Sequence, residues 1–376
     1  MKMKTGFRLQ EFVSRLDEAG LDGAVITSFA NFRYVTGVDI LSHACLPLRL
    51  QMVVVPVHGD PVLLACETGE TLTEQAPGWL RDIRCYREFD ASPIDALIEV
   101  LKETRIVGGR LGYENESMPA HYWERLRGGC PQAEFQPVGP ILDSLRAIKS
   151  AEEIVSLRAA YENTVASIRE AFEATCIGDS EADVAARIGS GLTARGATHI
   201  DFNIVVVGER SPWAHPPPSD RKLGAGEVIR VDVGVTFGLF AADVGRTAAA
   251  GQWPLAAKEA FDGLARVREE VLPYVEPGIS FGDLYTRFMD LYPQFNLPRP
   301  AAHTLLIGHS IGVEVHESPI LSPTENAFLE PNMVINIEPD VRPDGLCLTH
   351  ECTHVVTSNG LDLIASPADA PMIIDS

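Results

Sequence analysis

The sequence predicts an α/β domain over residues 1–146 followed by an α+β domain over residues 147–376. Three observations carry this. At 376 residues and 45% hydrophobic content, the chain is long and apolar enough for two cores. Short helical and β-rich runs alternate as far as about Pro137. Beyond it, long helices come first and β-rich runs suited to antiparallel pairing lie beside them.

In the first domain, LQEFVSRLDEAG (9–20) has helical spacing and ends at Gly20. GAVITS (23–28) reads as a short strand and RYVTG (33–37) as a second, while LRLQMVVVPVHGDPVLLAC (48–66) reads as a hairpin turning at His58-Gly59-Asp60. The second domain opens at the capping-box pattern Ser150-Ala151-Glu152-Glu153. A helix should run from there to about Ala174, with Ile154, Leu157, Ala160 and Tyr161 on one face. Asp179-Ser180 announces another helix through Val184, Ile188 and Leu192, stopped by Gly196. HIDFNIVVVG (199–208) and GEVIRVDVGVTFGLFAADVGRTAAAG (226–251) are β-rich. Helices follow from about Pro254 to Val275 and from about Ser280 to Tyr292, and the remainder returns to strands broken by Pro and Gly.

Composition narrows the function. With 52 Asp and Glu against 31 Lys and Arg, the net charge is -21, and no basic cluster interrupts it, so nucleic acid is not an expected partner. No stretch approaches the apolar length of a membrane span. The first twenty residues carry charges through their apolar positions, which suits an amphipathic helix and not the core of a signal peptide. Cys45, Cys66, Cys85, Cys130, Cys176, Cys347 and Cys352 are odd in number and widely spaced without a CxxC pair. Reduced thiols and a cytoplasmic location are the expectation.

The chemistry concentrates in the second domain. If VIRVDVGVTFGLFAADVGRTA is a hairpin with its turn centred between Phe237 and Gly238, Asp232 and Asp243 stand directly opposite each other on one face. Like charges in that relation destabilise a sheet, and burial raises the cost. A cation between them would remove it. From the hairpin alone, a bulge or one aspartate turned to solvent is the alternative. His309 in GHSIGVEVHE, Glu338 in MVINIEPD and Glu351 in CLTHECTHVV also lie in β-branched runs, where a polar side chain needs a partner. A lone buried histidine is usually a satisfied core residue, but four carboxylates and one imidazole together suit manganese, cobalt or zinc and suffice to bridge two ions. In such two-metal sites a bridging water becomes the nucleophile.

These motifs resemble those of the pita-bread-fold metallopeptidases, which include Xaa-Pro dipeptidase (prolidase), aminopeptidase P and the non-peptidase relative creatinase. SRLDEAGLDGAVITSFANFRYVTG is similar to the start of that family's N-terminal domain, and LRAIKSAEEIVSLRAA to its entry into the catalytic domain. VDVGVTFGLFAADVGRT, GHSIGVEVHESP, NIEPD and the THE of LTHECTHVV follow in the family's order and at similar spacing. The resemblance implies a homodimeric hydrolase acting on Xaa-Pro bonds of dipeptides or short peptides, with two divalent ions, manganese first and cobalt or zinc as alternatives. It implies Asp232, Asp243, His309, Glu338 and Glu351 as ligands, with Asp243 and Glu351 bridging. Glu338 would double as general base on the bridging water. His215 would lie over the substrate, and His316 would hydrogen-bond the scissile carbonyl or its oxyanion. Arg246 would offset excess carboxylate charge. His303, His350 and His354 read equally as residues orienting the carboxylates or as surface positions, Cys347 and Cys352 as small buried residues, and Tyr34 as core. For His316, a pair with Glu317 on a solvent edge is the alternative.

Three positions depart from the family pattern. Pro339-Asp340 stands where Pro-Gly is usual, Thr349 where an arginine is usual, and Pro216-Pro217-Pro218 where a glycine usually follows the loop histidine. Arg342 is the nearest replacement for that arginine, whose planar fork suits a substrate carboxylate. The departures leave open an enzyme of the same fold, hydrolase or lyase, acting on a small non-peptide zwitterion. A non-catalytic binding protein is the third reading.

Overall fold

The computed structural model describes the chain apart from residues 1–6, 41, 44–45, 47, 67–71, 73, 75, 89, 91, 299–305, 366–371 and 375–376. Two compact units divide it, Met1–Arg146 and Ala147–Ser376.

In the first unit, helix α1 (Leu9–Glu18) buries Phe12 and Leu16, and Gly20 beyond it takes a left-handed φ of 67°. Strands β1 (Gly23–Ile26), β2 (Met52–Pro56), β3 (Val62–Ala65), β4 (Asp82–Cys85), β5 (Arg110–Tyr113) and β6 (Glu134–Pro137) form one sheet in the order β4-β3-β2-β1-β5-β6. Successive residues point to opposite faces of a strand. Accordingly Ala24, Ile26, Val53 and Val55 join one apolar cluster with α1, while Val25, Met52 and Val54 join another with α3 (Pro93–Glu103). Covered on both faces, β1 to β3 read as unbroken apolar runs. The hairpin turns at residues 57–61 as expected, with Val54 paired to Val62.

RYVTG is not a strand. It forms the second half of helix α2 (Phe29–Thr36), and the reason lies upstream. The Ser28 hydroxyl caps the helix by accepting from the Asn31 N–H, and the buried Glu114 carboxylate accepts from the Thr27 and Ser28 N–H groups, the Ser28 hydroxyl and the Asn31 amide. Gly37, at φ 64°, closes the other end on Arg33 O. A satisfied helix start outweighs the β preference of Tyr34-Val35-Thr36. Tyr34 is buried in this unit's core. Helices α4 (Ala120–Gly129) and α5 (Gly139–Ala147) complete the segment.

In the second unit, α6 (Ala151–Glu173) begins with the predicted capping box, Ser150 with Glu153, and buries Leu157, Ala160 and Tyr161. Helix α7 (Glu181–Ala194) is capped by Ser180 and buries Val184, Ile188 and Leu192. Strands β7 (His199–Val207), β8 (Val228–Phe237), β9 (Phe240–Ala250) and β17 (Met372–Ile374) make a sheet in the order β17-β9-β8-β7. A second sheet runs β11 (Glu317–Ile320), β10 (Gly308–Ser310), β12 (Val334–Ile337), β15 (Cys352–Thr357), β16 (Gly360–Leu363), and β13 (Asp340–Val341) pairs separately with β14 (Leu348–Thr349). Helices α8 (Leu255–Val271) and α9 (Phe281–Leu291) lay Phe261, Leu264, Phe281 and Phe288 into one apolar cluster with Val228, Ile335 and Val356. Both sheets are thereby packed on the same helices. Among the described residues no helix is long and apolar enough to cross a membrane.

The β8–β9 hairpin corrects one expectation. Phe237 pairs with Phe240, so the turn is Gly238-Leu239, one position later than the symmetric arrangement, and Gly238 adopts φ 60°. A two-residue turn with left-handed backbone at its first position suits the twist of the strands. Asp232 consequently faces Gly245, and Asp243 faces Gly234. The two aspartates are diagonal neighbours on one face and not a directly opposed pair.

Replacing Glu114 by alanine strands several buried donors at the start of α2 and should destabilise the protein by about 2–4 kcal/mol. A shift of the urea midpoint measures this; an unchanged midpoint would show that the cap contributes nothing.

Candidate metal centre

Five chain segments deliver the site. Asp232 comes from β8, Asp243 from β9 and His309 from β10. The pairing of Ile337 with Cys352 places Glu338, just past β12, across from Glu351, just before β15. The Glu338 N–H donates to Ile307 O at 3.0 Å, and the Glu351 N–H donates to Gly245 O at 3.1 Å, which ties the carboxylate-bearing end of the second sheet to β9. Gly245 has a further role there: a Cβ at that position would overlap the Glu351 carboxylate.

The side chains converge. One oxygen each from Asp232, Asp243 and Glu351 lie within 4.8 Å of one another, as do ligand atoms of Asp243, His309 and His316. His309 Nε2 is 3.3 Å from Asp243 Oδ2 and 3.4 Å from Glu338 Oε1. The proton of this imidazole is fixed on the other nitrogen, because Nδ1 donates to Ser310 O at 2.9 Å. The Nε2 lone pair therefore faces the carboxylates. Asp243 Oδ1, Glu338 Oε1, Glu351 Oε2 and His309 Nε2 are all buried with no hydrogen-bond partner in the protein. Polar atoms in that condition are rare and costly.

Electrostatics agree with geometry. Burial, then the neighbouring carboxylates, pushes Glu338, Glu351 and Asp243 well above the ordinary range. Burial also raises Asp232, against the pull of Arg230, His215 and His309. Desolvation lowers His309 to about 4, so it is neutral at pH 7. Four acceptor-only groups around a neutral imidazole with its lone pair inward form a donor set for a hard or borderline divalent cation. The residues fit that group.

Around the cluster the outcomes differ. Arg246 sends its hydrogen bonds to backbone and phenol: Nη1 donates to Glu351 O at 2.6 Å and Gly245 O at 2.9 Å, and Nη2 to the Tyr161 hydroxyl at 3.0 Å. Its charge also lowers Glu351. Glu317 is not a solvent-edge partner of His316. It is buried, pairs with Lys149 at 3.2 Å, and accepts from the Val313 and Glu314 N–H groups. His316 is exposed, its ring 4.1 Å from that of His309, and partial desolvation followed by the two neighbouring histidines lowers it to about 4. His215 is exposed and lines a cleft of 340 Å³ with Arg230, Asp232, Glu338, Arg342 and Glu351.

His350 and His354 are buried, which overturns the surface reading; His350 approaches Arg268 and Cys352, the latter at 3.9 Å. His303 lies outside the described residues, as does Cys45. Cys347 and Cys352 are buried, and both are free thiols. Sequence reasoning did not single out Arg230. Its place two residues before Asp232, on the same face of β8, was the available signal.

An α/β unit followed by two sheets that enclose a carboxylate and histidine cluster defines a metalloenzyme of the pita-bread fold. The chain belongs to metallopeptidase family M24, whose profile matches residues 155–358, preceded by a Creatinase/Prolidase N-terminal domain over residues 8–148. It is 29% identical to the uncharacterized peptidase YqhT of Bacillus subtilis over 94% of this chain and 96% of that protein. It is 25% identical to a Xaa-Pro dipeptidase of Pyrococcus horikoshii over 94% and 95% respectively. The fold matches that of a prolidase from Thermococcus sibiricus with a TM-score of 0.88 at 24% identity, covering 99% of this chain and 100% of that one.

Gly245→Ala should displace Glu351 and weaken divalent-cation binding by roughly tenfold or more, read by equilibrium dialysis; undiminished affinity would remove Glu351 from the ligand set. The raised carboxyl groups retain protons above the ordinary carboxylate range when no cation is bound, so loading should release protons and the apparent affinity should climb as pH rises beyond that range. A folded-state carboxyl pKa above the unfolded value gives stability that is present at low pH and lost as pH rises through it. The chelated protein should therefore lose thermal stability on that rise, and added cation should restore it; a chelated protein with no such loss would refute the repulsion.

Proposed function

We propose that the protein is a dinuclear metallopeptidase that cleaves the amide bond of Xaa-Pro dipeptides or short peptides. The observation that carries this is the set of four unpartnered buried donor atoms, on Asp243, His309, Glu338 and Glu351, of which Glu338 and Glu351 line a cleft shared with His215, while the Asp243 and His309 group extends to His316. The names of relatives that are Xaa-Pro dipeptidases support the substrate class. Asp232, Asp243, His309, Glu338 and Glu351 would hold two divalent ions, manganese first, with cobalt or zinc as alternatives. Ions held there lower the pKa of a water and polarise a carbonyl.

The chain's own groups do the rest. Glu338, as a carboxylate made more basic than usual by burial and its acidic neighbours, takes a proton from the attacking water and passes it to the leaving nitrogen. His316, neutral at pH 7, donates one N–H to the carbonyl oxygen as charge develops on it. His215 bounds the substrate from the loop side. Arg342 takes the place of the usual arginine. Its Nε and Nη2 are held by Asp340 Oδ2 at 3.0 and 2.9 Å, which presents the guanidinium at the cleft for a substrate carboxylate. Thr349 is buried and bonded through its backbone to the Thr247 hydroxyl, away from such a role. A homodimer in the cytoplasm completes the reading.

That replacement also supports a second reading, an enzyme of this fold for a small non-peptide zwitterion, because Arg342 is already committed in part to Asp340. Manganese-loaded protein offered matched Xaa-Pro dipeptides and Xaa-Pro-Yaa tripeptides separates the two. Release of the N-terminal residue supports the peptidase, and dipeptide-only cleavage makes it a prolidase; silence from folded, metal-replete protein rejects it. Glu338→Gln should lower kcat by about 10²–10⁴-fold, and near-normal turnover would refute its role. Arg342→Met should raise KM for dipeptides about tenfold or more; an unchanged KM would place the carboxylate elsewhere.

A further inference from the structure

The proline-rich loop that carries His215 has few backbone donors of its own. Pro212, Pro216, Pro217 and Pro218 supply no N–H, and proline carbonyls and their neighbours still need donors. Two arginines provide them. Arg210 Nη2 donates to Pro217 O at 3.2 Å. Arg230, buried in β8, donates from Nε to Ser211 O at 3.0 Å and from Nη2 to Trp213 O at 2.7 Å and Ala214 O at 3.5 Å. The remaining nitrogen, Nη1, lies 3.7 Å from Asp232 Oδ2. The Ser211 hydroxyl meanwhile accepts from the Cys347 N–H at 2.9 Å.

We infer that Arg230 is a positioning residue that fastens the His215 loop to the carboxylate cluster, so that the substrate-side wall and the cation site are built as one piece. This rests on the reading of Asp232 as a ligand and His215 as a substrate-side residue. A mere counter-charge would direct its N–H groups to carboxylates; those of Arg230 Nε and Nη2 go to carbonyls on three residues of one loop, with only the third nitrogen, Nη1, facing Asp232. That task needs a rigid planar fork. A lysine ammonium in the same place keeps the charge but reaches only one point, so it cannot span Ser211 to Ala214.

The test uses the full-length, metal-replete protein with Arg230→Met and Arg230→Lys. Hydrogen exchange is followed over residues 208–219, where the Ser211 and Trp213 N–H groups are bonded to Gly208 O and Arg210 O. Both variants should exchange there roughly tenfold faster or more, while β9 and the bound metal stoichiometry match the unsubstituted protein. On a peptide that the protein cleaves, both should lose kcat/KM, and the loss should shrink in a His215→Ala background, as expected of residues acting as a unit. A lysine variant with unchanged loop exchange and full activity overturns the inference, as does additivity with His215→Ala. If the methionine variant does not fold, the lysine variant carries the test. If no Xaa-Pro peptide is cleaved, loop exchange still decides whether Arg230 fastens the loop, independently of the peptidase reading.

Discussion

Four carboxylates and a neutral imidazole, brought together with most of their inward atoms buried, set the terms for the catalytic unit. Carboxylates so placed repel one another and lose hydration, and a folded chain tolerates that only if a cation or protons intervene. Arg230 and Arg246 offset the repulsion only in part, since burial still holds the carboxyls above their ordinary range. Arg246 braces the backbone beneath Glu351, and the Phe202 ring lies over Gly234, beside the aspartates, where a Cβ would collide with it. The five donors come from different strands of two sheets, so no local segment holds more than a fraction of the site. It exists only when both sheets have closed on the shared helices.

Much of this was legible because charged residues are conspicuous in β-branched runs. Asp232, Asp243, His309, Glu338 and Glu351 stood out for that reason, and the helix caps at Ser150 and Ser180 were legible from side-chain chemistry alone. Register was not. The symmetric reading of the hairpin misplaced its turn by one residue, because Gly238-Leu239 and Phe237-Gly238 are both plausible by composition, and only the pairing of Phe237 with Phe240 distinguishes them. RYVTG failed for a different reason: the group that determines its helix, Glu114, lies 86 residues from Ser28 in sequence, beyond the reach of any local pattern. Buried partners such as Lys149 and Glu317 were invisible for the same cause.

The loop around His215 illustrates how composition and structure trade roles. Its prolines stiffen the chain and remove backbone donors, so order depends on side chains, both its own and those of neighbouring elements. Glu181 at the start of α7 accepts from the Ser219 N–H and hydroxyl, Arg210 donates to Pro217 O, and the Cys347 N–H donates to the Ser211 hydroxyl. A segment that would ordinarily adapt to its ligand is instead part of the frame.

The β8–β9 hairpin constrains the history of the chain as well as its chemistry. Surface turns are where insertions and deletions usually accumulate at little cost, but here the two aspartates lie on the two arms of one tight turn. Adding or removing a single residue within either arm would rotate one carboxylate to the far side of the sheet. The segment between Asp232 and Asp243 is therefore a ruler of fixed length, able to change its letters but not its count.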